Sequence, residues 1–275
     1  MNTGAPDAWS GLPAAEADLC RRFMAEGHVI VPAADRAALD ALQRRAAALA
    51  AAHLGLPAPD DATAFLDTIH HAVSPAALNP LRLAVIQGLN AWPEARPLYH
   101  ALGRAALETV AGNELAMQRR LNLSIQLPGD DSSLLPAHAD LWSGDSPFEV
   151  VLWVPLVDCF ASKSMYLLPP AAHEALEADF ARFAGQSGEA LFQAIAADVR
   201  FLSVPYGSVL LFSQNLLHGN RVNSESASRW SMNCRFKSLL SPYADKRLGE
   251  FFEPLVIRPA TRLGMRARLP GGFHD

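Results

Sequence analysis

The chain is short of cysteine, of long apolar runs and of positive charge, and each shortage removes a class of protein. Its three cysteines, Cys20, Cys159 and Cys234, are too few and too scattered for a disulfide framework or a zinc ribbon. Reduced, buried thiols fit a cytoplasmic protein. The longest apolar stretch, residues 150–157, falls far short of the roughly 20 residues that span a bilayer, and Pro155 interrupts it. No basic start followed by an apolar run opens the chain, so no signal peptide is expected. The formal net charge is −5, whereas a nucleic-acid binder ordinarily carries a basic face. Internal repeats and low-complexity linkers are also missing, although residues 33–52 are rich in alanine. The expectation is a soluble, cytoplasmic protein that handles a small molecule and engages neither nucleic acid nor membrane.

What is present is an ordinary globular balance. Half of the 275 residues are hydrophobic and 19% are charged, enough to fill one well-packed domain over residues 1–275. Residues 1–116 read as mainly helical. His28 to Val31 make a short strand-like run ended by Pro32. Asp35 can cap a helix carrying Leu39, Leu42, Ala46 and Leu49 at three- and four-residue spacing, with Gly55 as its stop. Residues 97–111 repeat the pattern with Leu98, Leu102, Ala106 and Val110, closing at Gly112.

From about residue 117 the period changes to two. In 121–127, Leu121, Leu123, Ile125 and Leu127 share one face, and Asn122, Ser124 and Gln126 share the other. Strands also fit 148–156, 164–169, 199–204, 208–213 and 229–239, with a helical insertion near 171–197. Closely spaced strands after a helical start predict a mainly β fold with α, a double-stranded β-helix (jelly roll) over 117–240 with the N-terminal and inserted helices packed outside. Residues 241–275 form a C-terminal extension. Its Arg258, Arg262, Arg266 and Arg268 have no acidic neighbours between them, which predicts a solvated tail, with an anion contact as the alternative.

The chemistry-bearing residues lie within the strand-rich part. On a strand, His138 and Asp140 point the same way and can offer an imidazole and a carboxylate to one ion. His218 follows the strand-like run 209–213 and can supply a third ligand. Two histidines and one carboxylate leave three octahedral positions open, as in non-haem Fe(II) oxygenases. A bidentate 2-oxo acid fills two of them and O2 the third. An H-x-D pair alone is common, and a polar loop residue for His138 or a hydrogen-bonded core histidine for His218 are the ordinary alternatives. Arg229-Trp230-Ser231 strengthens the case, because Arg229, Ser231, Asn233 and Arg235 alternate along one strand face. A guanidinium fork with a hydroxyl two residues on can hold the far carboxylate of 2-oxoglutarate by charge-assisted hydrogen bonds. A surface salt bridge is the alternative for Arg229.

At this point the sequence resembles the phytanoyl-CoA-dioxygenase-like branch of the Fe(II)/2-oxoglutarate oxygenases. The resemblance rests on His138-x-Asp140, Pro205-Tyr206-Gly207-Ser208, His218, Arg229-x-Ser231 and the opening Val29-Ile30-Val31-Pro32, and it covers most of the chain. Three further segments are similar to the oxygenases found sporadically in carbohydrate-biosynthesis gene clusters. These are His138-Ala-Asp140-Leu-Trp-Ser-Gly-Asp-Ser-Pro-Phe-Glu149, Lys163-Ser-Met-Tyr166 and His218-Gly-Asn-Arg-Val-Asn223. Where many relatives carry a Pro-Gly-Ser-His run, this chain has Pro169-Pro-Ala-Ala-His173, so His173 is read as structural.

The resemblance implies oxidative decarboxylation of 2-oxoglutarate to succinate and CO2, coupled to oxidation of a substrate C–H bond. Related halogenases lack a carboxylate at the position of Asp140, so its presence here implies hydroxylation, desaturation or oxidation. Gln126 and Asn122 are candidates to hydrogen-bond 2-oxoglutarate, with a water-facing strand as the alternative. Trp142 can floor a substrate pocket or pack in the core. Arg235 can meet an anionic substrate group or sit in a buried ion pair, and Lys163 is a second candidate anion contact. Glu149, Trp153 and Asn220 rank below these. The substrate expected is a sugar, aminosugar or sugar nucleotide, with an amino acid or other natural product as runner-up. A metal- or carbohydrate-binding jelly roll without catalysis, or a zinc hydrolase, leaves Arg229 without a task.

Overall fold

In the computed structural model, which describes residues 9–268, the helical start is built as its spacing predicts. Helix α1 (Ala14–Glu26) ends at Gly27, whose φ of 69° makes a left-handed cap that glycine adopts without strain. Strand β1 (His28–Pro32) follows. Helix α2 (Arg36–His53) begins where Asp35 accepts a hydrogen bond from the Ala38 amide. Its buried stripe of Leu39, Leu42, Ala46 and Ala50 is small enough for close packing against its neighbours. After α3 (Ala62–Asp67), helices α4 (Pro75–Asn90) and α5 (Ala95–Ala111) both pack on α2. Tyr99 of α5 is fully buried and donates a hydrogen bond to the Leu152 carbonyl at 2.6 Å, which ties the helical layer to the sheet beneath it.

The strands that follow are β2 (Leu115–Gln118), β3 (Asn122–Gln126), β4 (Glu149–Pro155) and β5 (Met165–Leu167). Two helices interrupt them, α6 (Pro170–Ala178) and α7 (Gly188–Ile195). Strands β6 (Arg200–Phe201), β7 (Ser208–Ser213), β8 (His218–Asn220), β9 (Arg229–Ser238) and β10 (Phe252–Val256) complete the set. Seven strands make one antiparallel sheet in the order β1-β7-β4-β9-β2-β10, with β3 also pairing to β9. The long β9 meets β4 on one side, and β3 and β2 in turn on the other. A second antiparallel sheet has three strands in the order β6-β5-β8.

Period-two patterning explains how the layers stack. Leu123 and Ile125 of β3, with Leu152 and Val154 of β4, join the core shared with the helices. Their neighbours Asn122, Ser124, Val151 and Trp153 turn the other way and line a cavity. Helices α6 and α7 cover the small sheet through Leu176, Leu191, Phe192 and Ile195, packed around Tyr166 and Leu217.

The predicted solvated tail needs correction. Strand β10 pairs with β2, and a short helix, α8 (Pro259–Gly264), follows it. The Arg258 amide and the Thr261 hydroxyl both donate to Glu114, at 2.7 Å each. The Arg258 guanidinium lies 3.9 Å from Glu108. The acidic partners stand far away in sequence, so spacing within the tail could not reveal them. Arg262, Arg266 and Arg268 are exposed. No helix among the described residues is long and apolar enough to cross a membrane.

Candidate metal centre

His138, Asp140 and His218 converge, with one ligand atom from each lying within 4.8 Å of the others. The expected strand under His138 and Asp140 is not there. His138 forms a single antiparallel bridge with His218, its amide and carbonyl both bonded to those of His218 at 3.0 and 2.8 Å. Asp140 then opens a 3-10 turn through Ser143, closed at left-handed Gly144. Ala139 between them is extended, φ −112° and ψ 136°, and that one residue suffices to put both side chains on the same side. Pro136, without an amide hydrogen, stands just before the bridge.

Each histidine is oriented by its own backbone. The Nδ1 of His138 lies 2.7 Å from the Pro136 carbonyl, and that of His218 lies 2.8 Å from the Leu216 carbonyl. A carbonyl only accepts, so Nδ1 carries the proton and Nε2 offers its lone pair. The two Nε2 atoms lie 3.5 and 4.0 Å from Oδ1 of Asp140. The other carboxylate oxygen, Oδ2, accepts a 2.7 Å hydrogen bond from Nη2 of Arg235. Burial of His218 pulls its pKa down to about 4, which keeps the imidazole neutral. Burial works against ionising Asp140, but the adjacent His138 and the charge of Arg235 prevail and hold its pKa well below the usual carboxylate range.

The cavity beside these residues has a volume of about 260 Å³ and is lined by Arg229, Asn233 and Arg235 on β9 and Asn122 and Ser124 on β3. Arg229 is 3% exposed. Its guanidinium donates to Ser124 Oγ at 2.7 Å and to the Ser164 carbonyl at 3.4 Å, and its Nε has no partner. No carboxylate among the described residues pairs with it. Burial correspondingly lowers its pKa. Ser231, cross-strand from Ser124, is fully buried outside the lining, and its hydroxyl has no partner either.

The remaining sequence candidates divide. Asn122 lines the cavity and donates to Asn233 Oδ1 at 3.0 Å. Gln126 is buried outside the lining, with its amide nitrogen donating to the Arg221 carbonyl. Trp142 does not floor the cavity: it sits on the 3-10 turn, 44% exposed, against the ring of Phe180 at 4.9 Å. The turn that replaces the expected strand carries it away from the lining. Lys163 is buried but ion-paired with Asp67, and Arg235 sits in the ion pair with Asp140 that was its alternative. Trp153 and Asn220 do line the cavity, whereas Glu149 lies outside it. His173 is buried, 3.2 Å from Glu177, as a structural residue would be. Gln214 was not anticipated. It accepts from Arg235 Nε at 3.1 Å, and its backbone carbonyl accepts from the Asp140 amide at 3.1 Å.

Comparison with family models gives no match for the sequence, and neither does comparison with curated proteins. Solved structures do match. AviO1 from Streptomyces viridochromogenes Tue57 aligns with a TM-score of 0.53 at 17% identity, over 83% of this chain and 97% of that one. HygX from Streptomyces hygroscopicus, in a crystal structure with nickel and 2-oxoglutarate bound, aligns with a TM-score of 0.50 at 15% identity, over 82% of this chain and 88% of that one. Across such sequence distance the likeness is one of architecture: the chain has the fold of these two proteins.

Proposed function

We propose that the protein is a Fe(II)- and 2-oxoglutarate-dependent dioxygenase. It oxidises a C–H bond of a small polar metabolite, such as a sugar, aminosugar or sugar nucleotide, and releases succinate and CO2. In this reading the two sheets form a double-stranded β-helix around the site. The observation that carries it is Arg229, a guanidinium buried without a carboxylate in the same cavity as a two-histidine, one-carboxylate cluster. A buried unpaired charge is costly, and the cost is relieved when an anion of the right length enters from the metal end.

The residues present fit both groups. Two imidazoles with free Nε2 atoms and one carboxylate oxygen suit a divalent iron with open positions. The partnerless Arg229 Nε and Ser231 Oγ are donors waiting for an acceptor, as the distal carboxylate of 2-oxoglutarate would be. The metal-bound HygX structure shows that this fold can hold a divalent metal together with 2-oxoglutarate. Bound here, iron would supply the redox chemistry that couples decarboxylation of the 2-oxo acid to oxidation of the substrate by O2. The protein's part is positional. Backbone carbonyls fix both histidine tautomers, Arg235 holds one oxygen of Asp140, and Arg229 anchors the cosubstrate. Trp153, Met165 and Phe212 give the cavity apolar walls, which limit water around the reacting centre.

The test is turnover: Fe(II)-loaded protein with 2-oxoglutarate and O2 should release succinate, faster with substrate, and Asp140→Ala should stop it. Loaded, folded wild-type protein that never forms succinate across a broad metabolite panel would contradict the reading.

A further inference from the structure

We infer that the substrate outgrows the metal cavity, and that its distal part is a polyhydroxylated ring seated in the adjoining groove on Gln87, Arg119, Arg120, Glu250 and Phe251. The inference rests on the oxygenase reading above and goes on to locate the substrate.

A cavity of about 260 Å³ lies at the lower edge of the roughly 300–1,000 Å³ usual for small-molecule sites, and this one must also admit 2-oxoglutarate. A groove of about 950 Å³ lies beside it. The two meet at Asn122, which lines both. Phe251 of the groove also packs towards the site, its ring centre 5.9 Å from the Arg235 guanidinium that holds Asp140. On this inference a molecule lying in the groove reaches the metal ligands past the Asn122 side chain, which is hydrogen-bonded to Asn233 at 3.0 Å.

The walls are already built. The Asn90 side chain accepts from the Leu121 amide at 2.8 Å and donates to the Leu121 carbonyl at 2.9 Å, pinning the end of α4 to the β2–β3 connection. Gln87, one turn earlier on the same helix face, looks into the groove. Opposite, the Arg119 amide donates to the Phe251 carbonyl at 2.9 Å, and its guanidinium donates to the Gly249 carbonyl at 3.3 Å.

The lining chemistry selects the class of ligand. Arg119 stands 3.6 Å from Glu253, while Arg120 and Glu250 face the groove with no polar partner among the described residues. Glu253 is shared between Arg96 and Arg119, so the free ionic groups of the groove wall are one guanidinium, Arg120, and one carboxylate, Glu250. Hydroxyls both donate and accept, and they match a mixed wall of guanidinium, carboxylate and amide. Phe251 adds an aromatic ring for the C–H face of a sugar.

The experiment measures succinate release by Fe(II)-loaded full-length protein with 2-oxoglutarate and a panel of probes. The panel holds single-ring sugars and aminosugars, two-ring saccharides with and without amino groups, sugar phosphates and nucleotide sugars. Two-ring neutral or amino compounds should give kcat/KM about tenfold above their single-ring parts. Arg120→Ala and Glu250→Gln should each raise KM for the best compound about tenfold, the loss expected for one charged hydrogen bond. Both positions are exposed, and thermal melts establish that the variants fold. Equal activity on single rings, preference for phosphates or nucleotides, no response to any probe, or wild-type KM in both variants would each overturn the groove assignment. Failure of the loaded wild-type protein to show the iron–2-oxoglutarate absorption band would instead overturn the oxygenase reading beneath it.

Discussion

Arg235 grips one oxygen of Asp140, Nη2 to Oδ2 at 2.7 Å, and leaves Oδ1 facing the two histidine Nε2 atoms. Arg235 is itself held, by Gln214 at 3.1 Å and by Asp145 at 3.3 Å. The carboxylate is thus set up to offer a metal one oxygen, which preserves the open positions that a cosubstrate and O2 require.

A first prediction concerns that grip. Arg235→Gln should weaken nickel binding, measured by titration calorimetry, by about 10–100-fold, the usual range for losing an outer partner of a metal ligand. Arg235→Lys keeps the charge but loses the planar fork, and should fall between the two. Wild-type affinity in both variants would show that Asp140 needs no partner.

Arg229 gives a prediction of opposite sign in stability and binding. Arg229→Met removes a buried, uncompensated charge, so without ligand its thermal midpoint should equal or exceed that of the wild type. With nickel and 2-oxoglutarate the wild type should gain stability from binding, and the variant should gain far less, because its affinity for 2-oxoglutarate drops about 100-fold. An unliganded variant several degrees less stable would mark Arg229 as a structural residue.

Glu149 gives a pH dependence away from the metal. Burial pushes its pKa up to about 7, and the negative charge of the neighbouring Asp145 adds to the rise. The Asp145 side chain is paired with Arg235 and Lys246, and Glu149 has no basic partner of its own within ion-pair distance among the described residues. The folded protein holds the Glu149 proton where the unfolded chain has released it. The stability it confers is full below about pH 4.5 and is lost as the pH rises through about 7. Glu149→Gln is neutral throughout. Its thermal midpoint should exceed the wild type's near about pH 8, with the gap closing near about pH 5. A gap independent of pH would contradict the assignment.

Much of this architecture was legible because it rests on local period. Strand β7 spans Ser208–Ser213, the same residues as its apolar run, and β9 ends within one residue of its predicted limit. The short strands β2 and β8 carry too few residues to show a period, and β8 is a strand mainly through its pairing with β5. At the site, residue type and order pointed to His138, Asp140, His218 and Arg229, whose side chains meet around one cavity. Partnership was harder to read. Lys163 and Asp67 are 96 residues apart, and Arg235 and Asp140 are 95 apart, so nothing local marks either pair. Trp142 was misplaced because a 3-10 turn stands where two-residue alternation implied a strand.

The metal centre and the 2-oxoglutarate anchor are read out together in the visible spectrum of anaerobic protein with Fe(II) and 2-oxoglutarate. A weak metal-to-ligand charge-transfer band should appear and saturate at one 2-oxoglutarate per chain. His218→Ala and Asp140→Ala should abolish the band, and Arg229→Met should shift its appearance to far higher 2-oxoglutarate concentration. A folded wild-type protein that shows no band would contradict the account.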